Sequence, residues 1–247
     1  MLQRQAIEKG YHDRESRKRA TNWFIRTAYG ANVLATADQY AVEQLGAIQG
    51  RSGLEVGCGR GGNALKLASL GAQVYATDIS FRTVQAARRV SLAQNRIPRP
   101  IFQQMAGEAI AYRDGAFDFV FGHSVLHHLE SRLAARELCR VLRPQGRAVF
   151  VEPLARHPLM MLFRKVTPHL RSPAEQPLRL SDLEIWAEPF AQVHHREFYL
   201  FSVLSPILGA LGPGLGGWLQ RLDDRLIQAH PALRAFCWVT VITLVRA

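Results

Sequence analysis

The amino-acid sequence predicts an α/β fold with a mostly parallel sheet, and three observations carry that expectation. Strand-like and helix-like segments alternate between residues 52 and 153, the pattern of right-handed crossovers between parallel strands. A glycine-rich turn, "VGCGRGG" at 56–62, joins the first strand to the first helix. The apolar "AFCWVTVITLVRA" at 235–247 has the character of a strand buried on both faces.

In chain order, "SGLEVG" (52–57) reads as a strand and "GNALKLASLG" (62–71) as a helix stopped by Gly71. "AQVYATDIS" (72–80) is a strand, and Ser80 begins a helix over 80–95. Strands follow at "IFQQMAG" (101–107) and "FDFVFGHS" (117–124). A helix at 129–142, a turn at "RPQG" and a strand at "RAVFVEP" (147–153) complete the alternation. Beyond it, Ser181 and Glu184 form a capping box for a helix, and "VHHREFYLFSV" (193–203) reads as a strand. The final strand is expected to pack centrally.

A chain of 247 residues with 48% hydrophobic content can bury a sizeable core, and one domain with insertions is expected. The opening segment is polar, and Cys58, Cys139 and Cys237 lie too far apart for a metal knuckle or a disulfide framework. A reducing cytoplasm is the expected location. The net charge of +11 comes mostly from arginine, since lysine occurs only at 9, 18, 66 and 165. The one dense basic cluster, "RESRKR" at 14–19, is interrupted by Glu15 and has no aromatic ladder beside it, so nucleic acid is not the expected partner. The apolar run 198–220 is broken by Pro206, Pro213 and several glycines, which argues against a spanning helix.

Gly57, Gly59 and Gly62 satisfy a dinucleotide-binding count, and Asp78 follows Gly57 by 21 residues, where an acidic side chain can hold ribose hydroxyls. Glu55 decides between ligands. Its carboxylate, two residues before the first glycine, would repel a pyrophosphate and suit a cation carrying a sulfonium and an ammonium.

Four blocks now stand in order: "LEVGCGRGG", "YATDIS", "DGAFDFVFGHSVLHHL" and "ELCRVLRPQGRAVFVEP". Together, from about Gly53 to Pro153, they resemble the class I S-adenosylmethionine-dependent methyltransferases, particularly the small-molecule group with the methyltransferase type 11 domain. The resemblance implies a Rossmann-like seven-stranded sheet with an antiparallel last strand, helices on both faces and helical cap insertions at 154–180 and 203–234. Residues 1–50 would form a helical lid over a domain at 51–247.

It also implies that Glu55, Gly57, Cys58, Gly59 and Gly61 surround the methionine part of the cofactor, that Asp78 holds the ribose and that Ile79 packs on the adenine. Where many relatives have "DAE" this chain has Ala106, Gly107 and Glu108, so the adenine would be read by backbone around Gly107 or by another side chain such as Glu108. His123 would border the methionine moiety or the methyl-transfer point.

Histidine is the side chain whose ordinary pKa suits a general base near neutrality. His123, His127 and His157 are the catalytic candidates, with His128 and His12 behind them, and Tyr11 and His12 are placed in the lid. No metal is expected, because no recognisable ligand spacing appears along the chain. The segment after the fourth strand, "GHSV", lacks the paired prolines of base-methylating enzymes, no cysteine follows a proline, and the paired-glutamate loop of protein arginine methyltransferases is missing.

A small hydrophobic acceptor remains, methylated at oxygen or carbon: aromatic, quinone-like, polyketide or isoprenoid-like. Met160, Met161, Leu162 and Phe163 with the 203–219 segment would wall an apolar chamber, and Arg164, Lys165, Arg171 and Arg179 would ring its mouth. Peripheral membrane contact through 203–219, with a lipid as acceptor, is the alternative. Cofactor binding without methyl transfer, as in a cyclase, is another; an NAD-dependent oxidoreductase is the last.

Overall fold

In the computed structural model the described residues are 2–15, 34–94, 98–168, 172, 175–208 and 214–247. They form a seven-stranded sheet of order β3-β2-β1-β4-β5-β7-β6. The strands are β1 (Ser52–Val56), β2 (Gln73–Asp78), β3 (Ile101–Gln104), β4 (Phe117–His123), β5 (Leu142–Pro153), β6 (Gln192–Phe198) and β7 (Val239–Val245). β1 to β5 pair in parallel, and β7 runs antiparallel to both β5 and β6. The last strand therefore packs inside the sheet, as its largely apolar run predicts.

The helices are α1 (Leu2–Glu15), α2 (Ala35–Leu45), α3 (Gly62–Ser69), α4 (Phe81–Ala93), α5 (Ser131–Val141), α6 (Pro158–Val166), α7 (Leu183–Ala187) and α8 (Leu215–Ala229). α2, α3 and α4 bury Ala37, Ala41, Leu67 and Val84 on one face of the sheet. α5 and α7 bury Leu138, Leu183 and Trp186 on the other, against Leu54 and Val56 of β1. Side chains alternate along a strand, so Glu55 points away from that second cluster, toward α3. The Ser80 hydroxyl accepts the Thr83 amide at 3.1 Å and starts α4 where the sequence places it.

Three expectations change. "RPQG" is not a turn between elements: Arg143 to Gly146 run inside β5, with Gln145 at φ +62° and a register shift against Phe117 and Phe119. The capping box uses other residues than Ser181 and Glu184. Asp182 accepts the Arg179 amide at 2.8 Å and α7 begins at Leu183. The 1–50 segment is not uniformly a lid, because α2 packs Ala37 and Ala41, both fully buried, onto β5 and β7 while only α1 reaches the cavity described below. Residues 16–33 and 209–213, which the lid and the 203–219 surface also invoke, lie outside the described residues. Among the described residues no helix is long and apolar enough to cross a membrane.

Candidate active site

A cavity of about 260 Å³ lies at the C-terminal ends of β1, β2 and β4, under α1. Parallel α/β sheets collect ligands at this place, because loops there are free to diverge over exposed strand ends. Gly57, Gly59, Asp78, Ile79, Gly107, Glu108 and His123 of the predicted set line it.

The glycine turn owes its shape to two positions. Gly57 has φ +71°, and a Cβ there would stand 2.5 Å from Val125 Cγ2. Gly61 has φ +82°, and its Cβ would meet the Phe102 ring at 2.8 Å. Both are strained for any side chain and sterically closed as well. Cys58 and Gly61 do not line the cavity: the Cys58 side chain is buried in the core beside α3 and α4, and burial pushes its thiol up, so it takes part only through backbone.

Asp78, at the end of β2, is nearly buried and accepts the Gly59 amide at 3.1 Å and the Ser80 amide at 2.9 Å. Burial raises its pKa, against the pull of those amides and of His12. Glu108 is a brace: its carboxylate accepts the Glu130 amide at 3.0 Å and the Gln5 side chain at 3.1 Å, tying α1 to the rim.

Glu55 departs from the sequence reading. It is 1% exposed and sits under the turn, off the cavity wall. Burial pushes its carboxyl up to about 8, opposed by the Ala64 amide and the Asn63 side chain. Its Oε2 is buried with no hydrogen-bond partner. The charge that the sequence argument relies on is thus absent at pH 7 until something favours it.

The histidines separate into different jobs. His123 stands at the cavity edge, with Nε2 3.2 Å from Asp38 Oδ1 and Nδ1 3.2 Å from Ser124 Oγ. Ser124 holds φ +54°, an uncommon backbone state for a non-glycine residue and one that gathers at functional turns. His127 is buried behind the wall, 2.6 Å from Glu152 through Nδ1, and does not line the cavity. Fully buried Glu152 also accepts the Val125 and Leu126 amides at 2.7 and 2.8 Å. Burial alone would raise its carboxyl; His127 and the two amides outweigh it and hold the group below the ordinary carboxylate range.

His157 does not reach the cavity either. Its Nε2 lies 3.0 Å from the Leu200 carbonyl and so donates, while Nδ1 accepts the Met160 amide at the start of α6. Burial depresses its pKa, which suits this neutral clamp. His12 and His128 do line the cavity, with Glu8 between them. Asp38, Glu8, Gln5 and Ser124 were not singled out in the sequence, and only the helical spacing of Glu8 and His12, four residues apart, was available to flag any of them.

The expected apolar chamber is displaced too. None of Met160 to Phe163 lines the cavity; Met160 packs on the core, Leu162 is 59% exposed, and Arg164 is paired with Glu175 at 2.7 Å. Arg171 lies outside the described residues.

A family model for a methyltransferase domain matches residues 54–150, the span from β1 through β5 that builds this cavity. Over this span the chain is similar to the class I S-adenosylmethionine-dependent methyltransferases. The ubiquinone biosynthesis O-methyltransferase of Alkalilimnicola ehrlichii is 31% identical over 158 residues, 60% of this chain and 63% of that protein. The sarcosine/dimethylglycine N-methyltransferase of Halorhodospira halochloris is 31% identical over 128 residues, 49% of this chain and 46% of that one. The chain spans about half the length of the curated relatives it matches, from 46 to 63% for the first three. The magnesium protoporphyrin IX methyltransferase of Synechocystis, solved with S-adenosylhomocysteine, shares the fold: TM-score 0.62 at 16% identity, over 98% of this chain and 99% of that one.

The residues around this cavity fit S-adenosylmethionine by their own chemistry. The positive-φ turn leaves Gly57 and Gly59 backbone bare at the cavity, Asp78 presents a carboxylate beside Ile79, and the orphaned Glu55 oxygen waits beneath for a positive charge. Gly57, Gly59, Asp78, Ile79 and Gly107 would hold the cofactor, which when bound supplies a methyl group on a sulfonium, already activated for displacement.

Proposed function

We propose that this chain methylates an oxygen or carbon of a hydrophobic small molecule. The observation that carries the reading is the His123–Asp38 pair at the edge of the Asp78 cavity. Ser124 holds Nδ1 at 3.2 Å, and Nε2, 3.2 Å from Asp38 Oδ1 without completing a hydrogen bond to it, is left to take a hydroxyl proton beside the carboxylate. Val56, Ile79, Met105, Val125 and Leu129 supply apolar wall, and Gln5, Glu8 and His12 of α1 line the cavity from above. The O-methyltransferases among the relatives support an oxygen acceptor.

Incubation with methyl-labelled cofactor and an organic extract of the host cells tests it. Label in an extractable aromatic or quinone-like product is expected, with Asp78→Ala weakening cofactor binding by about 1–3 kcal/mol, roughly 10–100-fold. Tight cofactor binding without label transfer would instead support the cyclase-like alternative.

A second reading, methylation of a lipid at a membrane surface, is favoured by Trp218 and Phe201, 53% and 46% exposed in and beside the 203–219 segment, on a chain of net charge +11. Label recovered in phospholipid would select it.

Glu55 gives a pH test. Its folded pKa, about 8, is raised above 4.5. Its contribution to stability is therefore full below pH 4.5 and lost as pH rises through 8. Glu55→Gln should flatten that slope, and cofactor binding at pH 7, measured in buffers of different ionisation enthalpy, should release a fraction of a proton in the wild type and none in the variant. Equal proton release in both would remove Glu55 from cofactor recognition.

A further inference from the structure

We propose that Glu8, His12 and His128 bind a first-row divalent cation such as Zn²⁺ at the cavity under α1. Glu8 and His12 share one face of α1 at helical i, i+4 spacing, and His128 comes from the turn Leu126–His128 after β4. All three line the cavity. Their ligand atoms lie within 4.8 Å of one another.

The distances suit ligands that share one ion. His128 Nδ1 and His12 Nε2 stand 3.1 and 3.7 Å from the same Glu8 oxygen, Oε2. A tetrahedral ion with bonds of about 2.0–2.2 Å places its ligands about 3.4 Å apart. Against the cost of burial, His128 and Ser172 both favour the charged form of Glu8, while the contacts of its two carboxylate oxygens and of His128 Nδ1 fall short of good hydrogen-bond geometry. Glu8 is 97% buried by its 3% exposure, and a buried carboxylate with unmade bonds is costly unless a cation is nearby.

The donor set names the ion class. Two imidazoles and one carboxylate suit Zn²⁺, Fe²⁺, Mn²⁺ or Co²⁺, and disfavour Mg²⁺ and Ca²⁺, which take oxygen ligands. A second cluster, His127, His128 and Glu175, competes poorly, because Arg164 occupies the Glu175 oxygen at 2.7 Å. Spacing along the sequence hides the site, since His128 lies far from the α1 pair; the metal-free expectation rested on that spacing alone.

Three protein ligands leave a position for the acceptor, and this role rests on the oxygen-methylating reading above. A hydroxyl held there would lose its proton more readily to His123, which lines the same cavity. Its oxygen pair forms the O–C bond while the C–S bond breaks and its pair returns to sulfur, turning sulfonium into thioether.

The test uses the untagged full chain after dialysis against EDTA. Titration with Zn²⁺ against a chromophoric chelator should give one ion per chain, and Co²⁺ should give the intense visible bands of a four-coordinate ion. Glu8→Gln and His12→Ala, checked for folding by circular dichroism, should weaken Zn²⁺ binding on the order of 100-fold or more, and His194→Ala should not. No stoichiometric binding, or equal binding by all three variants, overturns the site. S-adenosylhomocysteine titration of the same metal-free protein tests the cofactor reading separately, and label transfer that survives chelation would overturn the activating role.

Discussion

Glu152→Ala is expected to destabilise the protein by about 3–5 kcal/mol, the scale for breaking a buried, hydrogen-bonded charged group away from its partners. The carboxylate is fully buried and accepts three donors, the Val125 and Leu126 amides and His127 Nδ1. Alanine leaves all three unpaired. The damage reaches the site because Val125 packs against Gly57 and lines the cavity. Glu152→Gln should lie between, keeping an oxygen for the two amides and losing the charge. Glu152 also sets a pH signature: its folded pKa is depressed below 4.5, so its contribution is present above that pH and is lost as pH falls through the folded value. Urea unfolding at pH 7 and at pH 4 should show the wild-type advantage over Glu152→Ala shrinking at the lower pH; a constant difference would contradict the ionised state assigned here.

Asp223→Ala should cost about 2–4 kcal/mol, from several hydrogen bonds to one buried charge. Asp223, on α8, is fully buried. Its Oδ1 accepts the Phe201 amide at 2.8 Å, and its Oδ2 accepts the Leu200 and Ser202 amides at 3.0 Å and the Ser202 hydroxyl at 2.6 Å. Asn should lie between Ala and the wild type, because it keeps an oxygen for the three Oδ2 donors while its NH₂ faces the Phe201 amide. His157 holds the same loop from the other side through the Leu200 carbonyl. Thermal unfolding that ranks Asp223→Asn with the wild type would rule out the four-donor role.

Neither carboxylate announces itself in the sequence. Glu152 stands in a strand block as one acidic residue beside a proline, and Asp223 is one of two adjacent aspartates on an amphipathic helix. What makes them matter is the approach of amides from 21 to 27 residues away. His157 shows the converse: its place after β5 suggested chemistry, and the fold spends both ring nitrogens on a helix cap and a loop.

The sequence by itself determined the sheet, the glycine turn, the Ser80 cap and Asp78 at the end of β2, because strand alternation, turn glycines and caps depend on residues a few positions apart. The buried final strand was equally legible from its largely apolar run. Only the tertiary structure decided that Glu55 lies beneath the turn with a pKa near 8, that Asp38 meets His123, and that Glu8, His12 and His128 converge. Those facts depend on dielectric environment and on contacts between residues far apart in the chain, as where Glu8 meets His128. Local pattern carries no measure of either. Burial sets a carboxyl's proton, and chain folding sets which lone pairs meet.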